Sequence, residues 1–329
     1  MAKLQLTLSA GYYDRTAPIF DGRVLVEGCE LNCVGLAPEE TFHRAFGYAE
    51  FDIIEMSLCS HSLTTARGDS QYVGIPAFIS RVFRHSGMYV RTDRIKRPED
   101  LAGKTIGMPE YQQTANVWAR GILADEHGIG RGDAKWRTGG LDEAGRKERT
   151  PLKLPPDIDL KPVPADRTLS DMLEKGDIDA IFSPREPTCF ERRVPNVDRL
   201  FPDYAPVEEA YFKRTGIFPI MHMVGIRREL VEKHPWLPVS VYKAFLKAKE
   251  LALEDLRLIG ALAATLPWCV ADLEKARKLM GDNFWNYGLD GDRPALDTFL
   301  RYSKQQGLIE REIEAKELFA PSTLDLSKN

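Results

Sequence analysis

The chain has 329 residues, roughly two domains' worth, with 43% hydrophobic residues to build their cores and a formal net charge of −4. That near-neutral balance creates no global field for nucleic acid, and the basic pairs Arg192-Arg193 and Arg227-Arg228 are too short to suggest one. No apolar run approaches membrane-spanning length, and the scattered Cys29, Cys33, Cys59, Cys189 and Cys269, odd in number, fit reduced thiols better than a disulfide framework.

Polar and apolar residues alternate through the first ten positions, so Leu4 to Leu8 reads as a half-buried strand rather than the apolar core of a signal peptide. On that reading the chain stays in the cytoplasm, where an enzyme or a sensor is the expectation and a transport receptor is not. A turn-rich stretch over Ala10 to Arg15 precedes a strand pair around Val24 to Val34. Pro38 opens a helix, and Phe51 to Ser57 and Tyr72 to Ser80 are short buried strands. Gly87 to Arg91 crosses to a second lobe, whose helix spans Gln113 to His127. The segment Gly139 to Pro156, rich in charge, Gly and Pro, reads as a surface insertion, and Gly216 to Ile226 returns the chain to the first lobe. Amphipathic spacing over Pro235 to Leu258, Leu273 to Met280 and Ala295 to Tyr302 predicts a C-terminal helical cap. Lobe one is then discontinuous, residues 1–90 and 215–329, and lobe two is residues 91–214.

Two motifs carry a resemblance. Arg97-Pro-Glu-Asp-Leu-Ala-Gly-Lys-Thr-Ile-Gly-Met-Pro109 and Leu173-Glu-Lys-Gly-Asp-Ile-Asp-Ala-Ile-Phe-Ser-Pro184 resemble the second lobe of the type 2 solute-binding fold. The resemblance implies an α/β, two-lobed type 2 periplasmic-binding-protein-like clamp with a central ligand cleft at the carboxyl ends of the strands. Gly103-Lys104-Thr105 imitates the end of a phosphate-binding loop, but that loop needs a glycine where Pro98 stands. Zinc-protease, hydrolase-elbow, dinucleotide-fingerprint and paired-cysteine motifs are absent from the sequence.

The predicted cleft segments are rich in arginine and histidine. Arg15, Arg81, Arg84 and Arg185 offer guanidinium forks for a ligand with more than one carboxylate, and the start of the Gln113 helix offers backbone amides. Surface pairing with acids such as Asp14 or Glu186 is the alternative for each arginine. Tyr13, Ser57 and Thr114 fall in the same segments as candidate substrate contacts, and Tyr12, Phe83 and Tyr111 as aromatic flanks. His61, His85 and His222 also lie there, whereas His43, His127 and His234 lie on helices or a helix end. Imidazole exchanges protons near neutral pH, so the first three are candidate acids and bases, with packed core histidines as the alternative. A divalent metal held by the three together with Glu55 stays open as a further alternative, although no ligand spacing announces it.

Gly11-Tyr-Tyr-Asp-Arg-Thr16, Glu55-Met-Ser57, Arg81-Val-Phe-Arg-His-Ser86 and Gly216-Ile-Phe-Pro-Ile-Met-His222 together resemble the 4,5-dihydroxyphthalate decarboxylase family. The resemblance implies a cytosolic carboxy-lyase that converts an aromatic dicarboxylate to 3,4-dihydroxybenzoate and CO2 without an organic cofactor. A hydroxyl para to the leaving carboxylate lets the ring act as its own electron sink. In that chemistry Arg84 and Arg185 are the expected carboxylate clamps, with Arg15 and Arg81 behind them. His85 or His222 is the expected proton donor, and Glu55 or His61 the partner of the phenol. Two rivals use the same anionic ligand class: a non-catalytic binding protein or sensor, and a chorismate-dehydratase-like lyase. The helical cap leaves a homodimer open.

Overall fold

A computed structural model describes residues 2–149 and 151–326; Met1 of the first-strand reading, Thr150 of the 139–156 segment and the last three residues of the expected lobe one lie outside the described residues. Eleven strands occur among them: β1 (Leu4–Ala10), β2 (Cys29–Gly35), β3 (Ile53–Ser57), β4 (Tyr72–Arg81), β5 (Met88–Arg91), β6 (Thr105–Met108), β7 (Lys135–Thr138), β8 (Leu160–Pro162), β9 (Ala180–Phe182), β10 (Val197–Arg199) and β11 (Ile220–Arg227). The chain forms two compact units: residues 1–81, 215–297 and 313–329 make the first, and residues 82–214 and 298–312 the second.

The first unit holds a five-stranded sheet in the order β2-β1-β3-β11-β4. The pairs β1 to β2 and β1 to β3 are parallel, and β11 runs antiparallel to both β3 and β4. All five residues of β3 are buried, as a central strand covered on both faces requires. Register places His222, near the start of β11, opposite Ser57, the last residue of β3. The chain then turns directly into the Leu58–Arg67 helix, because the Ser57 hydroxyl caps it by accepting from the Ser60 amide at 3.3 Å. The strand pair expected around Val24 to Val34 is a single strand: Gly22 and Gly28 both adopt positive φ and hold the intervening stretch as a loop, while Val24 and Val26 still bury their side chains.

The second unit holds a six-stranded sheet in the order β10-β5-β9-β6-β7-β8. The two motifs noted in the sequence become its parallel centre, with Ile106 opposite Ala180. Its C-terminal contribution was not expected. The helix Leu289–Gln305 begins among first-unit residues and ends among second-unit residues, where Phe299 and Tyr302 pack on Trp118 at ring distances of 5.5 and 5.6 Å. Gly121 admits Tyr302: a Cβ there would sit 2.1 Å from the ring. The 139–156 segment is also more than a surface excursion, since Leu141 is buried in the core beside Leu169, Ile181 and Cys189.

Candidate functional site

The carboxyl ends of β1 and β3 and the first residues of β11 build a connected polar cluster in the first unit. Glu55, on the fully buried β3, is sealed from solvent and accepts hydrogen bonds from the Gly11 amide at 2.8 Å and the Tyr13 hydroxyl at 2.9 Å. Its third partner is His222, whose Nδ1 lies 2.6 Å from Oε1. Burial alone would raise the Glu55 carboxyl, but the imidazole of His222, with the Gly11 amide and the Tyr13 hydroxyl, outweighs it and holds the carboxyl below its usual range. A hydrogen bond from Nδ1 to this carboxylate leaves Nε2 as the working nitrogen of His222, and the ring retains 18% of its side-chain exposure. Phe42 meets the ring edge-on at 4.9 Å and fixes its plane.

Tyr13 joins this pair to a cation. Its hydroxyl is held by Glu55, and burial with the nearby carboxylate pushes its ionisation well above the ordinary tyrosine range. Its ring lies 4.4 Å under the Arg15 guanidinium, and the Trp285 ring lies 4.4 Å from the same guanidinium. Arg15 Nε donates to the Ile79 carbonyl at 2.5 Å and Nη1 to Asp14 at 3.0 Å, so Nη2 is left with no partner among the described residues. Gly11 is required where the chain bends back over Tyr13, since a Cβ at that position would fall 2.3 Å from the tyrosine Cζ.

The other candidates take different places. His61 is a packed core histidine: it is 1% exposed, its Nε2 meets the Leu318 carbonyl at 2.8 Å, and burial pulls it down to about 4. Arg81 is enclosed in the first unit, paired with Asp292 at 2.6 Å and donating to the carbonyls of Phe218 and Asn286 at 3.0 and 2.8 Å. No donor is left facing solvent for a ligand, because three chain segments meet on this one guanidinium. Ser57 serves the helix it caps.

In the second unit, His85 is fully buried between the rings of Phe201 and Tyr211, each 5.5 Å away, and neither of its nitrogens finds a hydrogen-bond partner. The Glu208 carboxylate lies 3.8 Å from its Nδ1, beyond hydrogen-bond reach. Burial pulls the ring down to about 4, which keeps it neutral. Arg84 is half-buried, and desolvation lowers its guanidinium to about 10 against the opposing pull of Glu208. Arg185 is exposed, its amide donating to Ser183 Oγ at 3.1 Å, and Thr114 is buried as the first residue of the Thr114–His127 helix. The amide of Tyr111, just ahead of that helix, donates to the Glu148 carboxylate, whose burial pushes it up to about 7. Among the described residues no three His, Cys, Asp or Glu side chains could hold a metal ion together, so the metal alternative built on His61, His85, His222 and Glu55 has no donor set. No described helix is long and apolar enough to cross a membrane.

No protein-family model matches the chain. A curated 4,5-dihydroxyphthalate decarboxylase of Comamonas testosteroni is 44% identical over 329 residues, covering all of both chains. A second, of Pseudomonas putida, is 46% identical over 204 residues, 62% of this chain and 79% of that one. The chain belongs to the 4,5-dihydroxyphthalate decarboxylase family. Both relatives are named as decarboxylases, that is, carboxy-lyases. Among solved structures, a putative periplasmic sulfonate-binding protein of Methylobacillus flagellatus aligns over 99% of this chain and 94% of its own with a TM-score of 0.56 at 15% identity. The fold of this family member is therefore that of the periplasmic binding proteins.

Sequence reasoning had Glu55, His222, Tyr13 and Arg15 among its candidates but missed Trp285, Gly11 and Phe42. Gly11 carried a usable signal, a glycine directly after a strand end. Trp285 carried none, because only tertiary structure brings it to Arg15.

Proposed function

We propose that the chain removes one carboxylate from 4,5-dihydroxyphthalate, giving 3,4-dihydroxybenzoate and CO2. His222 is the proton donor, Glu55 the group that holds it, and Arg15 the contact for the carboxylate that stays. The observation that carries the reading is the 2.6 Å contact between His222 Nδ1 and the sealed Glu55 carboxylate. The hydrogen bond between Nδ1 and the buried carboxylate orients the ring, so that Nε2 is the nitrogen that delivers the proton.

The reaction balances with one proton in and one CO2 out. Electron density from the hydroxyl para to the leaving carboxylate enters the ring, and the carboxylate-bearing carbon takes the proton from His222 Nε2. The bond to the carboxylate then breaks, CO2 leaves, and its electron pair restores the aromatic ring. His222 is reprotonated from solvent through its exposed edge. Glu55 has three partners and no exposed atom, so it acts on the imidazole and not on the phenol. Tyr13 sets the spacing between the proton donor and Arg15, whose free Nη2 suits a carboxylate oxygen. The product retains one carboxylate, so Arg15 holds it equally before and after the chemistry. The five unpaired cysteines suit a reducing compartment, and we place the reaction, a step of phthalate catabolism, in the cytoplasm.

Incubation with 4,5-dihydroxyphthalate should release 3,4-dihydroxybenzoate and CO2 in equal amounts, and in deuterated water the deuteron should appear at the carbon that lost its carboxylate. A protein that binds the acid but never turns it over, with or without added divalent metal, would be a binding protein, and the reading would be abandoned.

A further inference from the structure

Arg15 reaches its position by an unusual route. The stretch around it is short and polar, yet the guanidinium lies over two aromatic rings, 4.4 Å from the centre of each. One face, Tyr13, is its near neighbour in the chain. The other, Trp285, arrives from the segment between the Cys269–Met280 and Leu289–Gln305 helices.

That segment is fastened to the edge strand β4. Trp285 Nε1 donates to the Phe78 carbonyl at 2.9 Å, the Gly288 amide to the Pro76 carbonyl at 2.8 Å, and Arg81 to the Asn286 carbonyl. Lys249, itself buried, donates to the Trp285 carbonyl at 3.2 Å, and Phe218 packs edge-on against the indole at 5.5 Å. Arg15 Nε is tied to Ile79, the residue after Phe78, so strand β4 fixes both the indole and the cation that lies on it. A free arginine loses rotamer freedom on binding, and here most of that freedom is gone before any ligand arrives.

We propose that Trp285 is the positioning residue that pre-orients Arg15, and through it sets the affinity of the site for substrates that carry a second carboxylate. The inference rests on the reading of Arg15 as the contact for the carboxylate that stays. A group that holds this carboxylate binds substrate and transition state alike, so loosening it changes KM and leaves kcat alone. A purely structural tryptophan would behave differently, lowering thermal stability and kcat together.

The test uses steady-state kinetics with 4,5-dihydroxyphthalate, calorimetric titration with 3,4-dihydroxybenzoate, and thermal denaturation. Trp285→Leu removes the aromatic face and should raise KM, and the Kd for the product, about 3–30-fold with kcat within twofold, the range of a partly desolvated cation–π contact. Trp285→Phe keeps a smaller face and should recover most of the loss. Equal KM for Trp285→Leu and wild type, or a fall in kcat matching the rise in KM, overturns the proposal. Should Trp285→Leu fail to fold, a cycle decides: Trp285→Phe should raise KM in the wild-type background and have no effect in Arg15→Gln, because contacting residues couple. An equal effect in both backgrounds overturns it. Arg15→Lys separates the two layers. If that variant leaves product affinity unchanged, the reading of Arg15 itself is wrong; if it weakens affinity while Trp285→Leu does not, only the role of Trp285 falls.

Discussion

His222, in the first unit, and His85, in the other, occupy similar places in the sequence, each in a short run ahead of a strand or at its start, yet their surroundings are opposite. His222 has a carboxylate on one nitrogen and an open edge at the other. His85 has aromatic rings on two sides, no hydrogen bond to either nitrogen and no exposure. A histidine becomes an acid or base when a partner fixes its tautomer and solvent or substrate can reach the other nitrogen. A sealed imidazole pulled down to about 4 is, at neutral pH, a polar ring used for packing.

The comparison breaks or stands first on turnover. His222→Gln should leave substrate bound and lower kcat about 10²–10⁴-fold, the usual contribution of general acid–base catalysis. Glu55→Gln should fall in the same range, because the imidazole loses the carboxylate that holds its Nδ1, and the double variant should be little worse than either single one, since the two act as a unit. Equal losses from His85→Gln and His222→Gln would erase the distinction between the two histidines.

A second pair sharpens the same point with arginines. Arg81 and Arg15 were interchangeable candidates from the sequence, and structure separates them by what they touch. Arg81→Met leaves Asp292 buried without its partner and should cost about 3–5 kcal/mol of stability, measured by denaturant titration. Arg15→Lys should shift KM and spare most of the stability, because its side chain meets Asp14 at a half-exposed edge. The sequence could not tell them apart because Asp292, Phe218 and Asn286 come from distant segments. The same limit hid the Glu55 to His222 pairing, which joins residues 167 positions apart and depends on the register of β11 against β3. What was legible was local: strand-to-helix motifs at Ile106 and Ile181, buried runs such as Ile53 to Ser57, and helical periodicity near the C-terminus. The destination of residues 298–312 was not, since periodicity marks a buried face without naming what covers it.

The third effect is a pH dependence of stability. Folding lowers His85 from 6.5 to about 4, so between those values the unfolded chain binds a proton that the folded chain refuses. The stabilisation from the neutral ring is full above about 6.5 and is lost as pH falls towards 4, up to about 3 kcal/mol over the window. His61 behaves in the same direction for the same reason. Melting temperatures of wild type and His85→Phe should diverge as pH is lowered from 7.5 to 5, with the variant losing less. Parallel curves would mean that His85 is solvated, contrary to its enclosure.

The smallest effect concerns Ser57, which lies opposite His222 in register and entered as a candidate substrate contact. Its hydroxyl accepts from the Ser60 amide and so satisfies one of the four unpaired donors at the start of the Leu58–Arg67 helix. Loss of a cap of this kind costs about 1 kcal/mol. Ser57→Ala should therefore lower Tm by about 2–3 °C while KM and kcat stay within twofold of wild type. The helix starts one residue beyond the β3 end that orients Glu55, so a larger movement there would also disturb the carboxylate and show itself in kcat. A severalfold rise in KM with an unchanged Tm has only one structural meaning: the hydroxyl turns from its cap to the ligand, and Ser57 belongs with Arg15 among the groups that hold it.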